Sequence, residues 1–187
     1  EYTSMWNFYP DPDALNMEDS MYVIERHRMT RSQVRALKKR PFFRTKAIER
    51  AIEYGESYTR EWWEDDIESD SYGIDSDGGD SYGGIERFEV VEFWGTVDTE
   101  IAKEAGIKLP KELKKKEEIQ INCWVCNDEI LRLVINPFTP KRIPYCSAPY
   151  EINPYSFFGI GLAENMDDTQ TLMNGFMRLA VDNAVLS

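Results

Sequence analysis

The hydrophobic pattern changes its period along the chain, and stretches with a two-residue period predict strands. Ile119, Ile121 and Cys123 alternate with other side chains, which predicts a half-buried strand, and Asn127-Asp128 then offers a tight turn. We therefore expect a β-hairpin over Ile119 to Ile135. Further strands are predicted from the N-terminus to a turn at Pro12, from Met21 to His27, and, buried on both faces, from Phe88 to Val97.

Helical spacing and capping signals lie between these strands. Thr30-Arg31-Ser32-Gln33 has the spacing of a capping box, and Pro41 ends that helix near Arg40. A second helix is predicted from Phe43 to about Tyr54, with Gly55 as its cap, and a short third one from Thr99 to Ala105. Strands and helices follow each other without regular alternation, so the predicted fold class is α+β with antiparallel strands and short helices.

The C-terminal stretch is a glycine-punctuated aromatic loop, Pro154 to Gly161, that opens into a long helix starting at Leu162. Apolar residues recur at helical spacing, acids stand in its first two turns, and no stop signal precedes Ser187. The chain also begins without Met inside an aromatic run. We therefore expect an internal piece of a longer protein, with a helix of roughly 36 Å from Leu162 to Val185.

This C-terminal stretch resembles the segment where portal proteins of tailed bacteriophages pass from wing to stem. The most specific part runs from Asn153 to Ala184, and the Trp6 to Pro12 and Val91 to Gly95 stretches fit the wing more loosely. The positions that carry the hinge and stem motif are Pro154, Tyr155, Phe158, Gly159, Gly161, Gln170, Asn174, Asp182 and Asn183.

The resemblance implies a structural protein of the virion, found at the portal vertex of the capsid and made in the host bacterial cytoplasm. It implies a dodecameric ring that works with the terminase motor, the capsid and tail or adaptor proteins. Double-stranded DNA would pass its channel without sequence specificity, inward during packaging and outward during ejection. Residues 1–153 would form a wing-like domain, and residues 154–187 the hinge loop and the start of the stem helix.

Charge is distributed unevenly along a chain whose formal net charge is -12. Glu61 to Glu86 holds ten acids and no Lys or Arg, whereas Arg26 to Arg50 holds ten Lys or Arg and one acid. The Gly- and Ser-rich acidic part, residues 61–85, is predicted to be a mobile loop. The basic part is either a solvated helix face or a contact surface for neighbouring subunits or DNA. The candidate contact residues are Arg31, Arg35, Lys38, Lys39 and Arg40.

The acidic loop supports an alternative function, a regulatory or calcium-responsive binding module. An EF-hand read from Asp75 would place Glu86 at its twelfth position, but Asp80 stands where that loop needs glycine. We therefore predict neither a calcium site nor any other metal site.

The remaining chemistry of the chain indicates no enzyme. Cys123 and Cys126 have Cys-x-x-Cys spacing, and with Cys146 and the single histidine, His27, they would complete a Cys₃His set. Positions i and i+3 of a strand point to opposite faces, so buried, inert cysteines are expected in preference to a zinc or redox site. His27 is interpreted as an ordinary surface or strand histidine. No phosphate loop or catalytic signature appears, no cofactor is expected, and no apolar run is long enough to span a membrane.

Overall fold

The computed structural model describes residues 2–58, 86–107, 110, 113, 116–138 and 142–186. For residue 186 it describes the backbone only. Its described strands form a five-stranded sheet in the order β1-β2-β3-β4-β5. The strands are β1 (Phe8–Pro10), β2 (Tyr22–Thr30), β3 (Arg87–Asp98), β4 (Glu118–Cys126) and β5 (Glu129–Ile135). The helices are α1 (Arg31–Ala36), α2 (Thr45–Glu53), α3 (Thr99–Glu104) and α4 (Leu162–Leu186), with 3-10 turns at Met5–Asn7 and Leu37–Lys39.

The α+β prediction is confirmed, and the strands from β2 to β5 pair antiparallel with their sequence neighbours. The predicted hairpin is β4 and β5, whose turn residues Asn127 and Asp128 have φ of 50° and 62°. Positive φ at both central residues defines the turn that best matches strand twist. The capping box is also present, since Thr30 accepts from the Gln33 amide and Gln33 accepts from the Thr30 amide.

Three predicted elements have different bounds in the structure. The strand predicted from the N-terminus is only β1 (Phe8–Pro10), because Met5–Asn7 form a 3-10 turn. Strand β2 continues to Thr30, because its whole length pairs with the long central strand β3. Helix α2 begins at Thr45 instead of Phe43, because Phe43 forms a β-bridge with Arg132 and the Arg44 amide donates to the Leu131 carbonyl.

Helices α1 and α2 pack against one face of the sheet. The apolar face of α2 lies in this core together with Val34 and Leu37, and the sheet contributes side chains from β3, β4 and β5. Asn122 and Trp124 of β4 are buried on this face, so the prediction of a half-buried β4 is wrong. The reason is that each face of the strand meets its own layer, a helical pair on one side and α3 on the other.

The opposite sheet face has a smaller cluster, in which Ala102 of α3 packs with Ile119 and Ile121 of β4. Arg26 lies on this opposite face and is only 5% exposed, with Nε 2.9 Å from Glu89 Oε1 and its guanidinium over the Tyr58 ring. The sheet is therefore the middle layer of the described wing-like part.

A polar network lies on the same sheet face as the core formed with α1 and α2. Glu92, at the centre of β3, accepts hydrogen bonds at Oε1 from Trp94 Nε1 at 2.6 Å and Asn122 Nδ2 at 2.8 Å. Its Oε2 lies 3.1 Å from His27 Nε2. Burial acts to raise the pKa of Glu92, but these three hydrogen bonds outweigh it and hold the pKa below its usual value.

The chain forms two compact units. The first comprises Glu1–Tyr9 and the described part of Met21–Ile143, and the second comprises Pro10–Ser20 and Pro144–Ser187. The boundary predicted after residue 153 stays a prediction.

The acidic segment 61–85 and most of the calcium-loop motif lie outside the described residues. Within the described part of the chain, no helix is both long and apolar enough to cross a membrane.

Candidate assembly surface: the aromatic turn and the C-terminal helix

The loop before α4 is a turn closed by an antiparallel bridge between Glu151 and Ile160. The Ile160 amide donates to the Glu151 carbonyl at 2.9 Å, and Asn153 Oδ1 accepts from the Tyr155 amide at 3.0 Å. The Glu151 carboxylate also accepts from the side chain of Asn165, in the first turn of α4. This turn and the beginning of the helix are therefore joined by hydrogen bonds within one unit.

Gly159 is required where the two arms of the turn approach each other. A Cβ at this position would overlap the Glu151 carbonyl oxygen and would lie 2.5 Å from Pro149 Cβ. Gly161 differs, because nothing lies within 4 Å of where its Cβ would be. The two glycines of the predicted hinge motif thus have different roles, and the close approach depends on Gly159.

We expect Gly159→Ala to open the turn, because the new methyl group and the bridge cannot occupy the same space. Hydrogen exchange at the Ile160 amide should become faster by at least roughly tenfold, which corresponds to about 1.4 kcal/mol of local stability. Gly161→Ala is the matched control and should leave this exchange rate unchanged. Equal protection of Ile160 in wild type and Gly159→Ala would show that the turn does not depend on this contact.

Two large side chains of the turn are largely exposed in the chain. Tyr155 is 91% exposed and Ile152 is 77% exposed, while Phe158 packs edge-on against Phe157 with ring centroids 5.5 Å apart. Apolar side chains that are held in a closed turn and left in solvent are typical of a surface that another molecule covers.

Helix α4 is exposed along its described length. At 100° per residue, one stripe of the helix, about 100° wide, is apolar except at Thr169. This stripe comprises Leu162, Met166, Met173, Phe176, Met177 and Ala180. Its large side chains are between 51% and 64% exposed. A stripe of this kind needs a partner to remove it from water.

The polar motif residues of α4 lie around this stripe. Gln170 and Asn174 border it on one side, and Asn183 borders it on the other. Asp182 and Gly175 lie on the opposite side of the helix, and nothing lies within 4 Å of a Cβ built on Gly175. The helix therefore has an apolar face with amides on both flanks.

The candidate basic contact residues lie on α1 and in the turn after it. Arg31 forms an ion pair with Glu86 at 3.1 Å, and Lys38 forms one with Glu49 at 2.7 Å. Arg35, Lys39 and Arg40 are exposed. Next to this region, an open cavity of about 570 Å³ begins at the N-terminus of α2 and has mixed charge. Its lining residues are Arg44, Thr45, Lys46, Ala47, Arg50, Asp128, Glu129 and Ile130.

Cys123 and Cys126 do not form a site together. Cys123 packs in the cluster beside α3, whereas Cys126 packs in the core beneath α1 and α2, on the opposite face of the sheet. Burial raises the pKa of both thiols to about 11. The prediction of buried cysteines is wrong for Cys146, which is exposed.

We expect a thiol reagent such as N-ethylmaleimide to modify Cys146 alone in the native chain. At pH 7.5 a thiol with a pKa near 11 is ionised in less than about one molecule in a thousand, and the thiolate is the nucleophile. Mass spectrometry should show one adduct before unfolding and three in urea. Rapid native labelling of Cys123 or Cys126 would contradict the packing described above.

A match to a protein-family model shows which family this chain belongs to. A family model described as phage SU10 portal protein matches residues 1–187, the whole of the chain. The chain belongs to this portal protein family. A search of curated proteins gives no match. Membership confirms the resemblance, places the chain among structural proteins of bacteriophages, and assigns it in general terms to the portal of the phage capsid.

Proposed function

We propose that this chain forms the wing and the beginning of the stem in a ring-shaped portal, through which DNA is packaged and ejected and to which the tail attaches. Family membership supports the portal role in general. The observation that carries the finer proposal is the exposed apolar stripe of α4, since a portal ring would bury such a helix against its neighbours.

The arrangement of α4 fits a ring better than a simple pair. In a closed ring each subunit uses two different patches, one for each neighbour. The apolar stripe would meet one neighbour, and the opposite side, where Gly175 leaves room for close approach, would meet the next. Amides at Gln170, Asn174 and Asn183 would form hydrogen bonds at the borders of the contact. The expected ring is dodecameric, as the portal resemblance implies.

The aromatic turn would act as the hinge between wing and stem. Pro154, Tyr155, Phe158, Gly159 and Gly161 form the segment, and its closed geometry supports a defined direction for the helix that follows. Asp182 lies late in α4, in the part that would descend toward the channel. The role of each residue is part of the proposal.

The exposed basic residues are candidate contacts to a neighbouring subunit or to DNA in transit. Among the described residues, Arg31 and Lys38 have acidic partners, and no such ion pair is seen for Arg35, Lys39 or Arg40. Exchanging Arg35 and Lys39 for Gln should weaken ring formation or packaging most at low salt, where exposed charges are least screened. Equal effects at low and high salt would exclude an electrostatic contact.

Electron microscopy of the full-length protein tests the proposal. The expected result is closed rings with a central channel, and packaging by the terminase motor in vitro should depend on them. Particles that lack a central channel, even at high protein concentration, would contradict the proposal. The calcium-responsive alternative has no support among the described residues, and calcium-dependent melting that magnesium does not reproduce would be its signature.

A further inference from the structure

The polar network on the sheet places two carboxylates and the single histidine of the chain together. Glu25 and Glu92 stand directly opposite each other on β2 and β3, and His27 follows Glu25 on the same face of β2. His27 Nε2 lies 3.1 Å from Glu92 Oε2, and its Nδ1 lies 3.8 Å from Glu25 Oε1. One donor atom from each of the three residues lies within 4.8 Å of the others.

Two of these side chains are half-buried and the third, Glu92, is buried. The exposed fraction is 23% for the His27 side chain, 14% for Glu25 and 11% for Glu92. The His27 ring stacks on Trp124, with centroids 5.0 Å apart and planes 10° apart, so its orientation is fixed.

The arrangement carries a cost that a cation would remove. Like charges directly opposite on neighbouring strands destabilise a sheet, and Glu25 and Glu92 form such a pair in the middle of this one. The described charge that acts on Glu92 from β5 is that of Arg132. With His27 neutral, the two carboxylates and Arg132 leave a net charge of about −1, which a bound cation would compensate.

A second observation points to the same place. Asn122 is fully buried beside Glu92, and its Oδ1 has no hydrogen-bond partner although its Nδ2 donates to Glu92 Oε1. Both atoms belong to one amide group, so the unpartnered oxygen lies next to the carboxylate cluster. An amide oxygen is an acceptor that a cation or its bound water can satisfy.

We propose that Glu25, His27 and Glu92 form a binding site for a divalent transition metal ion of the zinc class, which cross-links β2 to β3. Two donors that share a zinc ion at about 2.1 Å each lie roughly 3.0–3.5 Å apart, which matches His27 Nε2 and Glu92 Oε2. Glu25 completes the set by rotation of its side chain. Calcium fits poorly, since it takes six to eight oxygen ligands and this cluster offers an imidazole and two carboxylates.

The site is independent of the portal assembly surface, because its ligands come from the sheet of the first unit and none comes from α4.

The single histidine gives a direct test. The 187-residue chain, prepared without a histidine tag, is titrated with zinc while a long-range ¹H–¹⁵N spectrum records the imidazole nitrogens of His27. We expect a saturable one-to-one change at His27 and a higher melting temperature with zinc. Magnesium and calcium should produce neither effect.

Variants separate this site from zinc bound elsewhere, such as at Cys146 or the acidic segment. Glu25→Gln and His27→Gln should each weaken zinc affinity by at least roughly tenfold, whereas Glu53→Gln on the exposed side of α2 should not. If His27→Gln does not fold, Glu25→Gln carries the comparison. An imidazole that responds to pH but not to zinc, or equal zinc affinity in wild type and Glu25→Gln, would overturn the proposal.

Discussion

Phe176→Asp is expected to abolish ring assembly while leaving the sheet of the first unit folded. Phe176 is the aromatic side chain of the apolar stripe of α4 and is 63% exposed in the chain, so a carboxylate is tolerated in the isolated subunit. In the proposed ring the same position is buried, and burying an unpaired charge costs several kcal/mol at every interface. Because each ring contains the interface many times, the assembled fraction should fall below detection by sedimentation or electron microscopy.

Val185→Asp is the matched control for this experiment. Val185 is 79% exposed and lies about 180° around α4 from Phe176 and about 80° from Gly175, so it adds the same charge to the same helix away from both proposed contacts. Assembly should survive this change better than Phe176→Asp. Loss of rings in both variants would mean that added charge on any side of the helix disrupts assembly, and retention in both would mean that the stripe is not an interface.

Phe88→Ala is expected to lower the free energy of unfolding by about 3–5 kcal/mol. Phe88 is fully buried on the central strand β3, within the core that joins the sheet to α1 and α2. Small domains have about 5–15 kcal/mol of stability in total, so this loss would leave the fold marginal. Urea unfolding followed by far-ultraviolet circular dichroism measures the change.

Phe42→Ala makes the same chemical change at a position that is 74% exposed. It should change the free energy of unfolding by no more than about 0.5 kcal/mol. Similar losses in both variants would show that the core assignment around β3 is wrong.

Local signals in the sequence account for much of the fold that was predicted correctly. The Asn127-Asp128 turn, the Thr30 capping box and the length of α4 each depend on residues a few positions apart, so they can be read without knowledge of the tertiary structure. The predicted ends of helices and strands are wrong where pairing with a distant residue decides them. Phe43, for example, lies outside the helix because it forms a β-bridge with Arg132.

The polar cluster on the sheet could be only half predicted. Glu25 and His27 are two residues apart on a strand, which places both side chains on one face. Glu92 is 65 residues from His27, and only the β2–β3 register brings the two together. From the sequence alone, His27 is therefore interpreted as an ordinary strand histidine. The structure shows that it lies beside two carboxylates, those of Glu25 and Glu92.

The proposed interface could also be predicted only in part from the sequence. The apolar stripe of α4 follows from helical spacing, and the exposed turn follows from its composition and glycines. The requirement for Gly159 depends on the approach of Pro149 and Glu151, which adjacent sequence does not reveal. In the proposed ring, the surface that meets each face of the helix would belong to another molecule, so the sequence of this chain does not show it.

The most direct test of the portal account is the mass of the full-length protein in solution, measured by light scattering over a range of salt and protein concentrations. We predict a closed assembly of about a dozen subunits that persists on dilution. A stable monomer or dimer under all of these conditions would contradict the proposed ring.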